Sequence, residues 1–361
     1  MIFAGVEINN FRNLRYASLN CSPALNLIVG GNASGKTSVM EALYFLGRTR
    51  SFRTRQTREL IQFGSDRFRI VASMRDQRGL GRRNLTVGIE RNAHQLTARV
   101  GGVPVVSLAE LAIQVPVLLL DPDSHRLLDG GPQQRRRFLN WSLFHSTPSF
   151  LVTWKRYESA LRNRNAALRR DPQDRSIEAW DDELVRAAEA LDDLRSTFCQ
   201  TLQRDLQPLV QDLLSASDAH VDYRRGWSQK PDLATQLRAG RELDRRYGYT
   251  RLGPHRADFQ VTLDGRSVLE VLSRGQQKLL VIALILAQAQ CYRAATDRDS
   301  ILLIDDLPAE LDHTHRDRVM ACLLGQPIQL FVTAIEGGLL NIAASKPVAR
   351  FNIDRGEIRI R

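Results

Sequence analysis

The spacing of apolar residues divides the chain into three stretches. As far as about Gly130, short alternations dominate, and residues 6–8, Leu25–Val29, 70–73 and 85–89 each read as strands. Leu25–Val29 runs into a glycine turn and then into a helical pattern over 38–46. Asp129-Gly130-Gly131-Pro132 supplies a turn signal. From 133 to about 247 the pattern is helical. Trp180, Leu184, Ala187, Leu191, Leu194 and Phe198 step alternately by four and three, the seam of a coiled coil or helix pair. Trp154, Tyr157, Leu161 and Leu168 form a shorter stripe, and Arg170-Asp171-Pro172-Gln173-Asp174 breaks the helix between the two. This predicts an antiparallel helical hairpin, although an ordinary helical subdomain accounts for the same stripes. After Gly253, strands return at 258–263 and 268–269, followed by an apolar helix and strands at 300–304 and 328–333. The expected fold is α/β. A mixed-sheet domain over 1–130 and 248–361 is interrupted by a helical lobe over 131–247.

Composition narrows the function classes. The chain has 361 residues, 43% hydrophobic and 25% charged, so it can bury a large core. Its longest apolar run, nine residues over 279–287, is too short for a membrane span and reads as a buried helix, so no membrane partner is expected. The first residues lack the basic start and apolar core of a secretory signal. Cys21, Cys199, Cys291 and Cys322 are scattered, with no CxxC pair or histidine cluster, which fits a reducing cytoplasm better than a metal or disulfide framework. The formal charge of +11 favours a polyanionic partner, because neutralising phosphates releases condensed counterions. Only five of the 51 basic residues are Lys, a bias that genomic base composition explains without explaining the surplus.

Gly30-Gly31-Asn32-Ala33-Ser34-Gly35-Lys36-Thr37 fits GxxxxGK[ST] between a strand and a helix. Glycines permit the tight loop whose amides wrap phosphates, and the helix dipole favours the anion. In such a loop Lys36 reaches the β/γ oxygens of ATP and the Thr37 hydroxyl binds Mg²⁺. Asp305 and Asp306 end the apolar strand over 301–304. At such a strand end the first acid holds Mg²⁺ and the second orients or deprotonates the attacking water. Alone, the pair reads as a solvated strand end; with the upstream loop, the functional reading prevails. Leu272-Ser273-Arg274-Gly275-Gln276-Gln277-Lys278 reads locally as an N-capping serine, yet it is similar to the LSGGQ-type signature of ABC ATPases. There Ser273, Gly275 and Gln276 would meet the γ-phosphate of ATP held by a second subunit, implying a head-to-tail ATP sandwich. Ala309-Glu310-Leu311-Asp312 follows at the spacing of the ABC D-loop.

Together these segments resemble the RecF family of SMC-related ATPases over essentially the whole chain. Ile8-Asn9-Asn10-Phe11-Arg12-Asn13-Leu14 looks like the family's NFRN opening. Gly131-Pro132 with Arg135-Arg136-Arg137-Phe138-Leu139 is similar to its mid-chain stretch, and Gly253-Pro254-His255-Arg256-Ala257-Asp258 resembles its GPHR-D motif. The resemblance implies an ABC-type P-loop head with a helical lobe corresponding to a truncated SMC arm. It also implies an ATP-dependent homodimer, slow hydrolysis, and binding to single-stranded and gapped duplex DNA. RecR, RecO and RecA are its implied partners in gap repair, fork recovery and SOS induction.

The chain departs from ABC patterns in three places. Phe331-Val332-Thr333-Ala334-Ile335 offers no switch histidine, leaving Thr333 or nothing in that role. Pro308-Ala309 stands where a small residue and Ser are usual. No glutamine marks a Q-loop near Asp121-Pro122. Two arginine clusters are candidate DNA contacts: Arg48, Arg50, Arg53, Arg55 and Arg58, and Arg135, Arg136 and Arg137. A scaffold using ATP only as dimer glue is the nearest alternative. A transport motor is disfavoured by the absent switch histidine and the mid-chain helical insertion.

Overall fold

The computed structural model describes residues 1–76, 84–170, 176–216, 218–306, 313–335 and 347–360. They form two compact units, one of Met1–Ser124 with Tyr292–Arg361 and one of His125–Cys291. The boundaries expected at 130/131 and 247/248 therefore differ from those of the compact units. Residues 248–291, expected with the head, belong to the second unit, where the strand at 258–263 pairs.

The first unit holds two six-stranded sheets. The antiparallel one runs β2-β1-β4-β5-β6-β7, with β1 Ile2–Phe11, β2 Leu14–Asn20, β4 Arg67–Arg75, β5 Asn84–Asn92, β6 Leu96–Val100 and β7 Val103–Pro104. Arg67–Arg75 shows why: Phe68, Ile70, Ala72 and Met74 are buried while the alternate residues face outward. The second runs β15-β14-β3-β13-β12-β8, with β3 Leu25–Val29, β8 Val117–Leu120, β12 Ile301–Ile304, β13 Gln329–Ala334, β14 Val348–Asp354 and β15 Glu357–Ile360. Its β8, β12, β13, β3 and β14 are parallel, and β12 and β13 are buried at every position, as a sheet covered on both faces requires. The buried Gln329 amide bonds Phe3 O and Ser22 O at 2.8 Å each, tying the first strand to the parallel sheet.

The expected helical hairpin is present in the second unit as Phe150–Leu168 and Ser176–Leu214, two long helices packed together. The line it buries keeps four of the six predicted positions, Leu184, Ala187, Leu191 and Phe198. Trp180 and Leu194 are half-buried, whereas Asp181 and Arg195, one residue further on, are buried with Leu184, Leu191 and Phe198. Arg164 also falls on the seam, between Leu161 and Leu168, and is completely buried. It donates to Asp181 (2.5 Å), Asp244 (2.8 Å) and Thr250 (2.7 Å).

Ala219–Arg224, within the stretch expected to be helical, is a strand (β9). It pairs antiparallel with β10 (Asp258–Leu263), and β11 (Arg266–Ser267) completes a three-stranded sheet. Residues 268–269, expected as strand, lie in a one-turn helix, Val268–Val271. The apolar run 279–287 sits in the helix Arg274–Thr296. That helix is long and apolar enough to cross a membrane by length and composition, but its most apolar window is 72% buried inside the fold.

The segment 253–258 is a packing hub. His255 Nδ1 lies 2.6 Å from the Tyr157 hydroxyl and Nε2 lies 2.9 Å from Thr250 O. The buried Arg195 donates to Pro254 O at 2.6 Å, Arg136 donates to Ala257 O at 2.8 Å, and Arg135 forms a two-point ion pair with Asp258 at 2.7 and 3.0 Å. Burial, with Arg256 and Arg136 nearby, pushes the His255 pKa down to about 4 from 6.5. The fold therefore holds the neutral ring, and the unfolded chain takes up the proton first. The stabilisation is present above about pH 6.5 and is lost as pH falls towards 4, amounting to about 3 kcal/mol. In urea unfolding at pH 7 and pH 4.5, the stability difference between wild type and His255→Asn should shrink by about 2 to 3 kcal/mol. A pH-independent difference would show that His255 does not couple folding to protons.

Candidate nucleotide site

Parallel strands bring their carboxyl ends to one edge, where open α/β sheets bind ligands. Here that edge carries the loop after β3, Thr333 near the end of β13, Asp305 and Asp306 after β12, and Asp121 after β8. The loop leads into the helix Lys36–Arg48, whose N-cap Gly35 gives no side-chain cap to the first-turn amides. Gly30 has no room for a side chain, since a Cβ there would lie 2.3 Å from Ile353 O, and Gly35 has φ +119°. Lys36 Nζ donates to Gly30 O and Gly31 O at 2.8 Å each, folding the ammonium across the loop.

The end of β12 meets the loop at Asp305. Thr37 Oγ1 lies 3.4 Å from Asp305 Oδ1, and the buried Thr333 hydroxyl donates to the same oxygen at 2.8 Å while accepting from Asp306 N at 2.8 Å. Thr333 thus holds the Asp305 carboxyl and the Asp306 backbone, and its hydroxyl is committed within the chain. Burial raises the Asp305 carboxyl above the usual range, with Asp306 adding to the shift, against Thr333, Thr37 and Lys36. Asp121 is raised as well, by burial first and then by Asp123 and Asp305. The Thr37 hydroxyl and the Asp305 carboxylate fit Mg²⁺, which takes one or two protein ligands and fills its octahedron with phosphate and water. Among the described residues no group of three or more metal-ligating side chains forms a cage.

A cleft of about 840 Å³ opens beside the loop, lined by residues 33–38 and by Arg12, Asn13, Arg53, Glu59, Ile61, Gln62 and Phe63. Sequence reasoning missed most of this wall. Asn13 accepts from Ser38 Oγ at 2.7 Å, and Arg12 grips the buried Glu41 through two bonds at 2.9 and 2.8 Å. Glu41 also accepts from Ser51 and lies 3.6 Å from Arg53. The NFRN segment gave a visible sign of these contacts, with no role attached. Phe63 is fully exposed at the lip, and nothing in its local sequence marks it.

Ser273, Gly275 and Gln276 lie in the second unit at the start of the helix Arg274–Thr296. Gln276 N donates to Ser273 Oγ at 3.3 Å and Ser273 N donates to Gln276 Oε1 at 3.0 Å, a reciprocal cap. The expected D-loop at 309–312 lies outside the described residues. The second arginine cluster requires a correction. Arg135 is 8% exposed and spent on Asp258, Gly130 O and Leu128 O, so it is a structural residue, not a surface cation. Arg136 is half-buried on Ala257 O, and Arg137 is exposed. In the first cluster Arg48 lies over the Tyr44 ring at 5.8 Å, and Arg50, Arg53, Arg55 and Arg58 are exposed.

A GxxxxGK[ST] loop at the head of a parallel sheet, two acids ending a strand of that sheet, and a long helical hairpin are the architecture of an ABC-type ATPase head with an inserted helical arm. Residues 2–358 match the RecF/RecN/SMC N terminal domain family. The chain is 41% identical over 360 residues to the DNA replication and repair protein RecF of Thioalkalivibrio sulfidiphilus, covering 100% of this chain and 99% of that one. It is 37% identical to the RecF of Pseudomonas paraeruginosa, covering 99% and 97%. The chain belongs to the RecF family. Its fold matches a solved ATP-bound RecF, a recombination mediator of the RecFOR pathway, with a TM-score of 0.88 at 22% identity, covering 100% of this chain and 97% of that one. An Smc head bound to the C-winged helix domain of ScpA matches with a TM-score of 0.59 at 12% identity, covering 100% and 98%.

Proposed function

We propose that this chain is an ATP-dependent DNA-binding protein of recombinational gap repair whose two copies close around two ATP molecules. The convergence of Lys36, Thr37 and Asp305 beside the cleft carries this reading. Residues 30–37 wrap the phosphates, and Lys36 swings from its loop carbonyls to the β/γ oxygens. Thr37 and Asp305 hold Mg²⁺, which neutralises phosphate charge. Arg12 and Phe63 wall the end of the cleft where the base lies.

Gly275 supports a second copy completing the site. A Cβ there meets nothing within 4 Å, so the chain's own packing does not require glycine at that position, although Gly costs about 1 kcal/mol relative to Ala inside a helix. Close approach by a partner's phosphate accounts for it. Asp306 orients the attacking water, and slow, DNA-stimulated hydrolysis opens the dimer. In the cytoplasm the dimer acts at single-strand/double-strand junctions with RecR and RecO, assisting RecA loading, fork recovery and SOS induction. Arg48, Arg50, Arg53, Arg55, Arg58 and Arg137 remain the proposed phosphate contacts.

The commitment of the Thr333 hydroxyl to Asp305 and Asp306 favours a second reading, in which ATP serves as dimer glue without turnover. Sizing with ATP and Mg²⁺, with and without gapped DNA, tests both. Wild type should dimerise and release phosphate, while Lys36→Arg and Ser273→Arg should stay monomeric. Dimers without phosphate release would leave the glue reading standing, and monomers throughout would remove both.

A further inference from the structure

The second unit carries an aromatic and arginine surface that the nucleotide site does not use. Tyr247 is 57% exposed and Tyr249 40% exposed, their rings 5.8 Å apart at 41°. Arg251 lies over the Tyr247 ring at 6.0 Å and Arg256 over the Tyr249 ring at 5.5 Å. Arg169 donates to the intervening Gly248 O at 3.0 Å, and the exposed Arg246 precedes Tyr247. The acids in this segment are largely occupied: Asp244 is buried against Arg164 and Arg251, and the exposed Glu242 pairs with Arg245.

The mounting of these rings is stiff. Gly248 takes φ +71°, and its N–H donates to Asp244 O at 2.8 Å, which closes the helix Arg241–Tyr247 and turns the chain so that the two tyrosines come together. Asp244 and Thr250, on either side, are 2% and 1% exposed and locked to Arg164. Each exposed phenol ring stands on a rigid turn with a guanidinium over it, an arrangement that suits flat π-systems carrying negative charge. Unpaired nucleotides have that chemistry: bases stack on aromatics and arginine planes, and the phosphates between them meet cations. Duplex bases are already stacked and offer only the phosphates.

We propose that Tyr247 and Tyr249, with Arg246, Arg251 and Arg256, form a stacking site for unpaired bases of single-stranded DNA. This rests on the DNA-binding reading above and assigns the single-stranded part of that ligand to a defined surface. The site would engage the single-stranded side of a junction with little sequence preference, because every base has a π-face.

Fluorescence anisotropy with a labelled oligothymidylate of about fifteen nucleotides, its abasic counterpart and a duplex of equal length tests the proposal. Wild type should prefer the base-bearing strand to the abasic one. Tyr247→Ala with Tyr249→Ala should weaken binding of the base-bearing strand roughly tenfold, leave the abasic strand and duplex within about twofold, and retain ATP binding. Tyr247→Phe with Tyr249→Phe, which keeps the ring faces, should bind like wild type. Equal loss on all three ligands, or no loss on the base-bearing strand, would overturn the stacking site while leaving the DNA-binding function intact. Wild type failing to bind any of the three ligands would overturn both.

Discussion

Lys36→Ala should abolish ATP binding at micromolar nucleotide and with it every ATP-dependent dimer. In the structure the ammonium has two acceptors, Gly30 O and Gly31 O, both part of the loop it is meant to serve. It is 9% exposed, so with the phosphates in place its charge acts where little water screens it. Removing one partner of such a buried charged contact costs about 3 kcal/mol or more, a factor of a hundred or more in affinity. Arginine does not substitute, because a planar fork replaces a compact point charge and needs space that the loop lacks. Calorimetric titration of ATP and Mg²⁺ into the variant is the measurement. Affinity within tenfold of wild type, with an unchanged melting temperature, would mean that Lys36 is not a phosphate ligand here.

Arg164→Ala should produce the largest loss of stability among single substitutions in the second unit. Arg164 joins the first hairpin helix to Asp181 on the second, to Asp244 in the helix Arg241–Tyr247 and to Thr250 beyond it. Arg241 bonds Asp181 at 2.8 Å and Arg251 bonds Asp244 at 2.9 Å, so each carboxylate keeps one partner when Arg164 is removed. Asp181, Asp244 and Thr250 would each lose a hydrogen bond around an emptied, buried space. Breaking such a network costs about 3 to 5 kcal/mol, which lowers the melting temperature by roughly 10 °C in a unit of this size. Arg164→Lys should not rescue it, since one ammonium cannot point at Asp181 and Asp244 with a guanidinium's fixed geometry. Chemical denaturation monitored by tryptophan fluorescence reports the change, because Trp154 and Trp180 lie on the hairpin. A loss below about 1 kcal/mol would show that the network is neutral for folding.

The same network shows where reading by periodicity stops. Apolar spacing placed a hairpin in the right part of the chain, because burying a stripe is what makes two long helices associate. It placed Leu184, Ala187, Leu191 and Phe198 on the seam but not Arg164, Asp181 and Arg195, which a hydrophobic pattern scores as surface. A charged residue becomes a core residue only when its counter-charges arrive from elsewhere, and Asp244 is eighty residues along the chain from Arg164. The strand Ala219–Arg224 was missed for a related reason. Its short alternation is weak by itself and is stabilised by pairing with Asp258–Leu263, a partner supplied only by the fold.

The phosphate loop is a local device. One stretch of backbone supplies its tight turn, its amides and its lysine, so eight consecutive residues specify it. The acids after β12 were legible for a similar reason, as the end of an apolar strand, and their order after the loop and the signature placed the chain among ABC ATPases. Tertiary structure alone decided what surrounds them. Thr333 between the acids, Arg12 on Glu41, Phe63 at the lip, and Arg135 turned inward onto Asp258 all depend on segments that meet only in the folded chain. Sequence fixes which chemistry is available wherever the backbone of a single segment creates it. Which side chains are buried, paired or left facing water is decided by neighbours distant in the chain, and that pairing turned one predicted DNA contact into a structural residue and left Tyr247 and Tyr249 facing solvent.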